Sequence, residues 1–380
     1  MLHDNHQPLA LLGGLSPQRF MQRHWQKKPL LVRAAVAAAR PLLDRAQLFE
    51  LAAREEVESR LIVREGKRWK MRRGPLARRA LPPVSQREWT LLVQGVDLHH
   101  APARELLEQF RFIPDARLDD LMISWASDGG GVGPHFDSYD VFLLQLQGRR
   151  RWRIGRQDDL TLQQGVPLKI LANFIAQDEY VLEPGDMLYL PPGYAHDGTA
   201  LGECQTCSIG FRAPGRSELA RELLQRLAEN ADDTAPTALY RDAGASAADS
   251  PGAVPAGLQQ FAAQSLQAAL KDPQALNRAL GEYLSEPKAN VWFEPGPSPA
   301  AMGAVVLDRR SRMLHDQRHV FLNGDSWRAS GRDATLMRAL ADQRQLSLAQ
   351  VGRASSGALE LLRDWCEAGW LHPQQEDRND

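Results

Sequence analysis

Between residues 59 and 212 the chain alternates short apolar runs with glycine and proline, and this pattern constrains the fold more than any other feature of the sequence. The runs are rich in Val, Ile, Leu, Trp and Tyr, and no helix-spaced segment follows each of them. Consecutive strands without a crossover helix pair in an antiparallel manner, so we expect a mostly β domain, either a barrel or a jelly roll. The runs are Leu61–Val63, Trp89–Val93, Leu121–Trp125, Val141–Leu146, Arg151–Ile154, Met187–Leu190 and Cys207–Phe211.

The part of the chain after this block has a different texture. Ser217 opens a stretch with helical spacing and early acidic residues, as expected at a helix N-terminus. The tail then has two short strands and several short helices, an order that resembles a winged helix. We therefore expect three parts: a β domain over residues 1–214, a helical region over 215–285 and a winged-helix-like module over 286–380.

The charges of the chain are balanced, with 46 basic and 47 acidic residues and a formal net charge of −1. This balance argues against a nucleic-acid binder that works by bulk electrostatics, although it leaves room for a local basic patch. The first ten residues lack the pattern of a signal peptide, and no stretch reaches the roughly 18 apolar residues of a membrane span. Three cysteines argue against a disulfide framework. We expect a cytoplasmic protein.

A glycine-rich segment within the β block contains two candidate metal ligands. Residues 129–140 read GGGVGPHFDSYD, so His135 and Asp137 lie two positions apart. On a strand such side chains project to the same face, about 6–7 Å apart, and both can reach one cation. His196, which follows a Pro-Pro-Gly turn, offers a third ligand.

Two imidazoles and one carboxylate form the facial triad of non-haem iron(II) oxygenases. The triad leaves three adjacent coordination positions open, which a 2-oxo acid and oxygen can fill. A structural metal site would instead have a complete set of protein ligands. The sequence therefore predicts an iron(II) site that uses oxygen and 2-oxoglutarate.

Arg150 provides a second indication of the same chemistry. Strand alternation places Arg150 on the same face as Trp152 and Ile154, whereas the flanking arginines lie on the opposite face. A buried charge without a partner is costly, and the distal carboxylate of 2-oxoglutarate would provide a bidentate partner. Ser124 could add a hydroxyl group to the same carboxylate. The alternative is an ion pair between Arg150 and a protein carboxylate.

Several longer motifs surround these residues. They are residues 119–124, 129–135, 147–153, 182–193 and 208–214, together with Trp25–Leu31 near the N-terminus. In these motifs the chain resembles the JmjC-type 2-oxoglutarate oxygenases, and within them the bacterial ribosomal oxygenases. The resemblance is strong over residues 15–214 and looser beyond them.

The resemblance implies both a fold and an activity. The β domain would be a JmjC catalytic domain, that is, a cupin-like double-stranded β-helix. The resemblance further implies 3-hydroxylation of an arginine side chain on large-subunit ribosomal protein sixteen. The residues implied are His135, Asp137 and His196 as ligands of Fe(II), and Arg150 and Ser124 as the 2-oxoglutarate site.

The resemblance also implies a homodimer formed through the helical region, residues 215–285. The apolar face of its first helix agrees with this, and its members are Leu219, Leu223, Leu224 and Leu227. DNA binding by the C-terminal module is not expected, because the tail is not strongly basic. Two other functions stay open from the residues alone, a JmjC demethylase of another protein and a metal-binding cupin without redox chemistry.

Three residues are candidates for binding the substrate. Asp128 precedes the glycine turn, Tyr139 follows Asp137, and Ser208 lies on a predicted strand. An acid and an aromatic ring suit a guanidinium group, which donates two hydrogen bonds to a carboxylate and stacks on rings. The alternative for Asp128 is that it caps the turn, as Asp often does before Gly.

Overall fold

The computed structural model describes residues 4–229, 239–243, 246–247 and 252–374. The parts of the predicted helical region that fall between these ranges lie outside the described residues. The described residues form two compact units, one from within 1–213, 288–310 and 362–380, the other from within 214–287 and 311–361. None of the helices among the described residues is long and apolar enough to cross a membrane.

The first unit is built on a nine-stranded sheet whose described pairings are all antiparallel. Its strands are β1 (Leu30–Val32), β2 (Ser59–Glu65), β3 (Arg68–Arg73), β4 (Trp89–Val93), β5 (Leu118–Ala126), β6 (Val141–Gly155), β7 (Asp178–Leu182), β8 (Met187–Leu190) and β9 (Ala195–Phe211). Their order in the sheet is β1-β8-β6-β9-β5-β4-β2-β3, and β7 also pairs with β6. All seven predicted runs lie in these strands, so the prediction of an antiparallel β domain is confirmed.

Three short helices cover one face of this sheet. They are α1 (Pro17–Arg23), α2 (Arg45–Leu51) and α3 (Ala101–Glu108). Helix α1 begins at Pro17, because the Ser16 hydroxyl accepts a hydrogen bond from the Arg19 amide and Pro17 suits the first helical position. Phe20 of α1 joins Trp125 and Phe142 of the sheet in the main hydrophobic core. A second, smaller apolar cluster, which includes Leu143 and Trp152, lines a cavity.

A bulge in β6 decides which of its residues reach the cavity. Val141 and Leu143, before the bulge, line the cavity, and so do Arg150 and Trp152 after it, so the alternation shifts by one residue. The pairing of β6 with β9 shifts register at this point. Gly148 makes the bulge possible, because its φ is +63° and a Cβ atom there would lie 2.1 Å from the Glu203 carbonyl oxygen.

The remaining elements follow the predicted order of helices and then a small α/β module. They are α4 (Arg216–Glu229), α5 (Ala256–Ala269), α6 (Pro273–Ser285), β10 (Val305–Leu307), β11 (Met313–His315), β12 (His319–Leu322), β13 (Asp325–Arg328), α7 (Gly331–Gln343), β14 (Gln345–Leu346), α8 (Leu348–Val351), α9 (Ser356–Glu367) and β15 (Leu371–Pro373). Strands β11, β12 and β13 form an antiparallel sheet in the second unit. The turn between β12 and β13 uses Asn323 and Gly324, both with positive φ, which suits a tight hairpin.

Candidate metal centre and active-site cavity

His135 and His196 are held opposite each other by the main chain. The His135 amide donates to the His196 carbonyl at 3.0 Å, and the His196 amide donates to the His135 carbonyl at 2.8 Å. The expectation that His135 and Asp137 lie on a regular strand is wrong, because this is an isolated bridge. Pro134 lacks an amide hydrogen and Gly133 has a φ of +78°, so a regular strand cannot continue through them.

The structure nevertheless brings the three predicted ligands together. Ligand atoms of His135, Asp137 and His196 all lie within 4.8 Å of one another, and no other such group occurs among the residues that the structure describes. His196 Nε2 is 3.7 Å from Asp137 Oδ2. The centroids of the two imidazole rings are 4.3 Å apart.

Backbone carbonyl groups fix the orientation of both imidazoles. His135 Nδ1 lies 2.9 Å from the Gly133 carbonyl oxygen, and His196 Nδ1 lies 3.0 Å from the Tyr194 carbonyl oxygen. A carbonyl oxygen can only accept, so each Nδ1 carries the hydrogen and each Nε2 keeps its lone pair for a metal.

The electrostatics of the site keep His196 in its ligand form. Burial, and then the neighbouring His135, lower the pKa of His196 to about 4, so that its imidazole is neutral at physiological pH. A neutral imidazole is the form that coordinates a metal. Two such nitrogens and the carboxylate of Asp137 therefore fit a divalent ion of the iron(II) type.

Arg150 lies buried in the wall of the same cavity. Its Nη1 donates to the Ser124 hydroxyl at 2.8 Å and to the Thr206 hydroxyl at 3.2 Å, and its guanidinium lies 5.3 Å from the centroid of the Trp152 ring. Among the described residues no carboxylate pairs with Arg150, and its Nε has no hydrogen-bond partner. Hydroxyl groups orient this cation without neutralising it, so the guanidinium can form an ion pair with the carboxylate of a ligand.

Thr206 and Gln145 support Arg150, and sequence reasoning missed both. The Thr206 hydroxyl donates to Gln145 Oε1 at 2.8 Å, and Gln145 Nε2 donates to the Gln147 carbonyl at 2.8 Å. Both side chains are buried. The available signal was a glutamine inside the otherwise apolar run that begins at Val141, because buried polar groups require partners.

The cavity has a volume of about 530 Å³ and contains the metal triad, Arg150 and Ser124 in its walls. Two of the three predicted substrate residues, Tyr139 and Ser208, also line it.

Asp128 does not line the cavity. One of its carboxylate oxygens accepts a hydrogen bond from the Gly202 amide, and the other pairs with Arg87, each at 2.9 Å. The structure therefore places Asp128 where the alternative interpretation expects it, in a turn.

A different pair of acids faces the cavity. Asp119 and Asp120 both line it, and Lys288 lies 3.3 Å and 2.8 Å from their carboxylates. Although burial opposes it, the charges of Asp120 and Asp119 raise the pKa of Lys288. Behind them, burial and then the charge of Asp120 raise the pKa of Asp97 to about 6. Two carboxylates therefore face this side of the cavity, and each of them has Lys288 as an ion-pair partner.

An antiparallel β domain with a two-histidine, one-carboxylate triad beside a buried arginine has the features of a non-haem iron(II) oxygenase. A JmjC domain model matches residues 105–219, and a ROXA-like winged helix model matches residues 268–372. The predicted fold class, a cupin-like β domain followed by helices and a winged helix, is confirmed.

Relatives and solved structures narrow the class to a family. The chain is 42% identical over 203 residues to the ribosomal protein uL16 3-hydroxylase of Escherichia coli, which covers 53% of each protein. It is 35% identical over 210 residues to a probable ribosomal oxygenase of Haemophilus influenzae, covering 54% of this chain and 52% of that relative. The chain thus matches about half the length of these curated relatives.

The solved structures match over almost the whole chain. The X-ray structure of E. coli YcfD has a TM-score of 0.83 and 30% identity, covering 93% of this chain and 97% of that one. A structure of YcfD in complex with cobalt and 2-oxoglutarate has a TM-score of 0.80 at 30% identity, covering 94% and 98%. The chain belongs to the JmjC ribosomal oxygenase family, as the resemblance in its motifs predicts.

Proposed function

We propose that the protein is an iron(II)- and 2-oxoglutarate-dependent hydroxylase that acts on an arginine side chain of large-subunit ribosomal protein uL16. The observation that carries this proposal is the arrangement of the cavity. Two Nε2 atoms and the Asp137 carboxylate converge on one point, and Arg150, without a protein carboxylate, lies in the same walls. The E. coli relative is named as a uL16 3-hydroxylase, which supports carbon 3 of the arginine as the position of reaction.

Iron, when bound, supplies the chemistry that couples oxygen and 2-oxoglutarate to hydroxylation, with succinate and carbon dioxide as the other products. The chain's own residues hold and orient the reactants. His135, Asp137 and His196 would bind the metal at one face and leave the opposite face to ligands. Arg150 and Ser124 would bind the distal carboxylate of 2-oxoglutarate, which fixes its direction relative to the metal. YcfD has been solved with cobalt and 2-oxoglutarate, which supports this pair of ligands.

The acidic side of the cavity supports a cationic substrate group. Asp119 and Asp120 would attract a guanidinium, and the Tyr139 ring offers a surface on which it can stack. Ser208 adds a hydroxyl group nearby. Asp119 and Asp120 would thus be the acids that bind the substrate, a role for which the sequence suggested Asp128. Because the substrate would be a ribosomal protein, we propose a cytoplasmic enzyme.

We also propose that the protein is a homodimer through residues 215–285. Helix α4 has no buried residue, and its Leu224 is 47% exposed. In α5, Leu258 and Leu266 are 38% and 61% exposed. Exposed apolar side chains on these two helices favour association with a second copy. Light scattering at micromolar concentration should show a dimer that Leu224→Arg with Leu266→Arg dissociates, whereas Leu160→Arg in the first unit should not. A wild-type monomer would contradict the proposal.

Mass spectrometry of ribosomal proteins tests the proposed substrate. We expect uL16 from cells with the gene to carry an arginine that is heavier by one oxygen atom, and uL16 from cells without it to lack this change. Expression of the Asp137→Ala variant should not restore it. An unmodified uL16 in wild-type cells, or loss of a methyl group from another protein instead, would contradict the proposal.

A further inference from the structure

The strongest concentration of charge in the chain lies outside the metal site. Residues 60–79, here called the basic hairpin, contain nine Lys or Arg residues and one acid, Glu65, in a chain whose net charge is −1. The basic hairpin consists of β2 and β3, the turn at Gly66 and Lys67, and the residues that follow β3. Strand β3 is at the edge of the main sheet.

Most of these charges face solvent and lack acidic partners. The exposed ones are Arg64, Lys67, Arg68, Lys70, Arg72, Arg73, Arg78 and Arg79. Of the basic residues of the hairpin, only Lys70 forms an ion pair within the described part of the chain, with Glu65 at 2.8 Å. Arg64 lies over the Trp69 ring at 5.5 Å. The hairpin thus presents a basic surface with one aromatic ring in it.

The register of the hairpin places two arginines directly opposite each other. Arg60 of β2 pairs with Arg73 of β3, and both side chains line the active-site cavity. Like charges in this position destabilise a sheet. The next pairs along the same face are Ile62 with Met71 and Arg64 with Trp69. Positive charge therefore lies on this face at the cavity wall and again at Arg64, with one apolar pair between them.

Protection of a sheet edge explains only part of this pattern. Charged residues on an edge strand prevent pairing with other chains, and Arg68, Lys70 and Arg72 could serve that purpose alone. It does not require Arg60 opposite Arg73 in the cavity wall, nor Arg79 beyond the strand. Those charges fit a polyanion that lies along the hairpin.

We propose that the basic hairpin binds the phosphate backbone of RNA while the substrate side chain enters the cavity. The choice of RNA among polyanions rests on the proposed function, because a ribosomal protein presents its side chains beside RNA. A basic protein by itself offers this surface no matching charge, whereas RNA bound to that protein does. Trp69 provides the kind of ring on which a base stacks in single-stranded RNA recognition.

Fluorescence anisotropy with a labelled single-stranded RNA of about 15 nucleotides tests the surface. The test variant is Lys67→Gln/Arg68→Gln/Arg79→Gln, which removes three exposed charges that do not line the cavity. The matched control is Arg19→Gln/Arg23→Gln/Lys28→Gln, exposed residues of the same unit outside the hairpin. We expect the test variant to bind RNA at least about tenfold more weakly at 0.1 M salt, with a slope of log K against log salt reduced by about 2. The control should match the wild type.

Hydroxylation of an isolated peptide separates this inference from the proposed function. Both triple variants should hydroxylate the peptide at the wild-type rate, which also shows that they are folded. Equal RNA affinity of the two variants would overturn the inference, and so would equally effective competition by polyglutamate at the same charge concentration. Absence of peptide hydroxylation in the wild type would instead contradict the proposed function and leave the RNA result to stand by itself.

Discussion

At the metal end of the cavity, main-chain hydrogen bonds fix the positions of the ligands, whereas at the substrate end side-chain charges balance one another. His135 and His196 exchange two backbone hydrogen bonds, and each ring donates to a carbonyl oxygen close to it in sequence. Asp119 and Asp120 instead meet Lys288, which comes from a distant part of the chain. The first arrangement depends on hydrogen bonds of the main chain, and the second depends on ion pairs between side chains.

This difference would separate the two tasks of the proposed hydroxylase. A metal and its cosubstrate need fixed geometry, because the reacting atoms must be aligned before the chemistry begins. A substrate side chain must enter and leave, so the groups that receive it can be partners in exchangeable ion pairs. Changes at the metal end should therefore abolish function, and changes at the substrate end should alter affinity, stability or pH dependence.

The largest effect is expected from the triad. His135→Ala should abolish Co(II) or iron(II) binding and reduce succinate formation by at least about a thousandfold, because two ligands cannot hold the ion in place of three. Metal content and succinate release are the measurements. The exposed His6→Ala serves as the control. Wild-type succinate production by His135→Ala would show that the triad is not the metal site.

A smaller effect is expected at the cosubstrate anchor. Arg150→Ala should weaken 2-oxoglutarate binding by roughly a hundredfold, because the ligand carboxylate loses its charged partner in a buried position. Calorimetric titration of the Co(II)-loaded protein measures this, and Co(II) affinity should not change. Arg149→Ala, at the exposed neighbouring position, is the matched control. Equal 2-oxoglutarate affinities for the two variants would remove Arg150 from the site.

Removal of the Thr206 hydroxyl group, which positions Arg150, should have a still smaller effect on 2-oxoglutarate binding. Thr206→Val keeps the shape of the side chain but removes its hydrogen bonds to Arg150 and Gln145, so 2-oxoglutarate affinity should fall by about tenfold. Thr206→Ser should restore most of it. Thr199→Val on the same strand is the control. If Thr206→Ser bound no better than Thr206→Val in the same titration, the hydroxyl group would not be the cause.

The smallest effect is expected in the pH dependence of stability, at the substrate end. Burial and then Asp120 raise the pKa of Asp97 to about 6, so the folded state favours its protonated form. The stability that the folded state gains from protonated Asp97 is fully present below about pH 4 and is lost as the pH rises through about 6. Asp97→Asn should therefore raise the free energy of unfolding at pH 8 by about 1–3 kcal/mol and change it little at pH 4.

Denaturant unfolding at the two pH values measures this difference. Asp120→Asn is a useful companion, because it removes the neighbouring charge and should lower the pKa of Asp97. A stabilisation by Asp97→Asn that is equal at both pH values would contradict the electrostatic explanation.

The metal end could be predicted from the sequence because its determinants are local. The spacing of His135 and Asp137, the Pro-Pro-Gly turn before His196 and the alternation around Arg150 each span a few residues. The structure brings these residues together in one cavity. A cation among apolar neighbours on one strand face was sufficient to single out Arg150.

The substrate end depends on pairings that no local pattern reveals. Asp128 and Asp120 are both acids near apolar runs, and only the tertiary structure shows that the first caps a turn and the second faces the cavity. The bulge at Gly148 likewise inverts the alternation of β6, so counting from Val141 would have placed Arg150 on the wrong face. A glycine with positive φ is compatible with many structures, and Gly148 permits a bulge here only because β6 pairs with β9.

Hydroxylation by the purified protein in the presence of ¹⁸O₂ tests the proposed function most directly. A uL16 peptide that contains the arginine is incubated with iron(II) and 2-oxoglutarate, and a matched peptide with Arg→Lys is incubated in parallel. We expect the arginine peptide to gain one ¹⁸O atom at carbon 3 for each succinate formed, and the lysine peptide to remain unmodified. Succinate formation without label in the arginine peptide, or equal labelling of both peptides, would contradict an arginine hydroxylase.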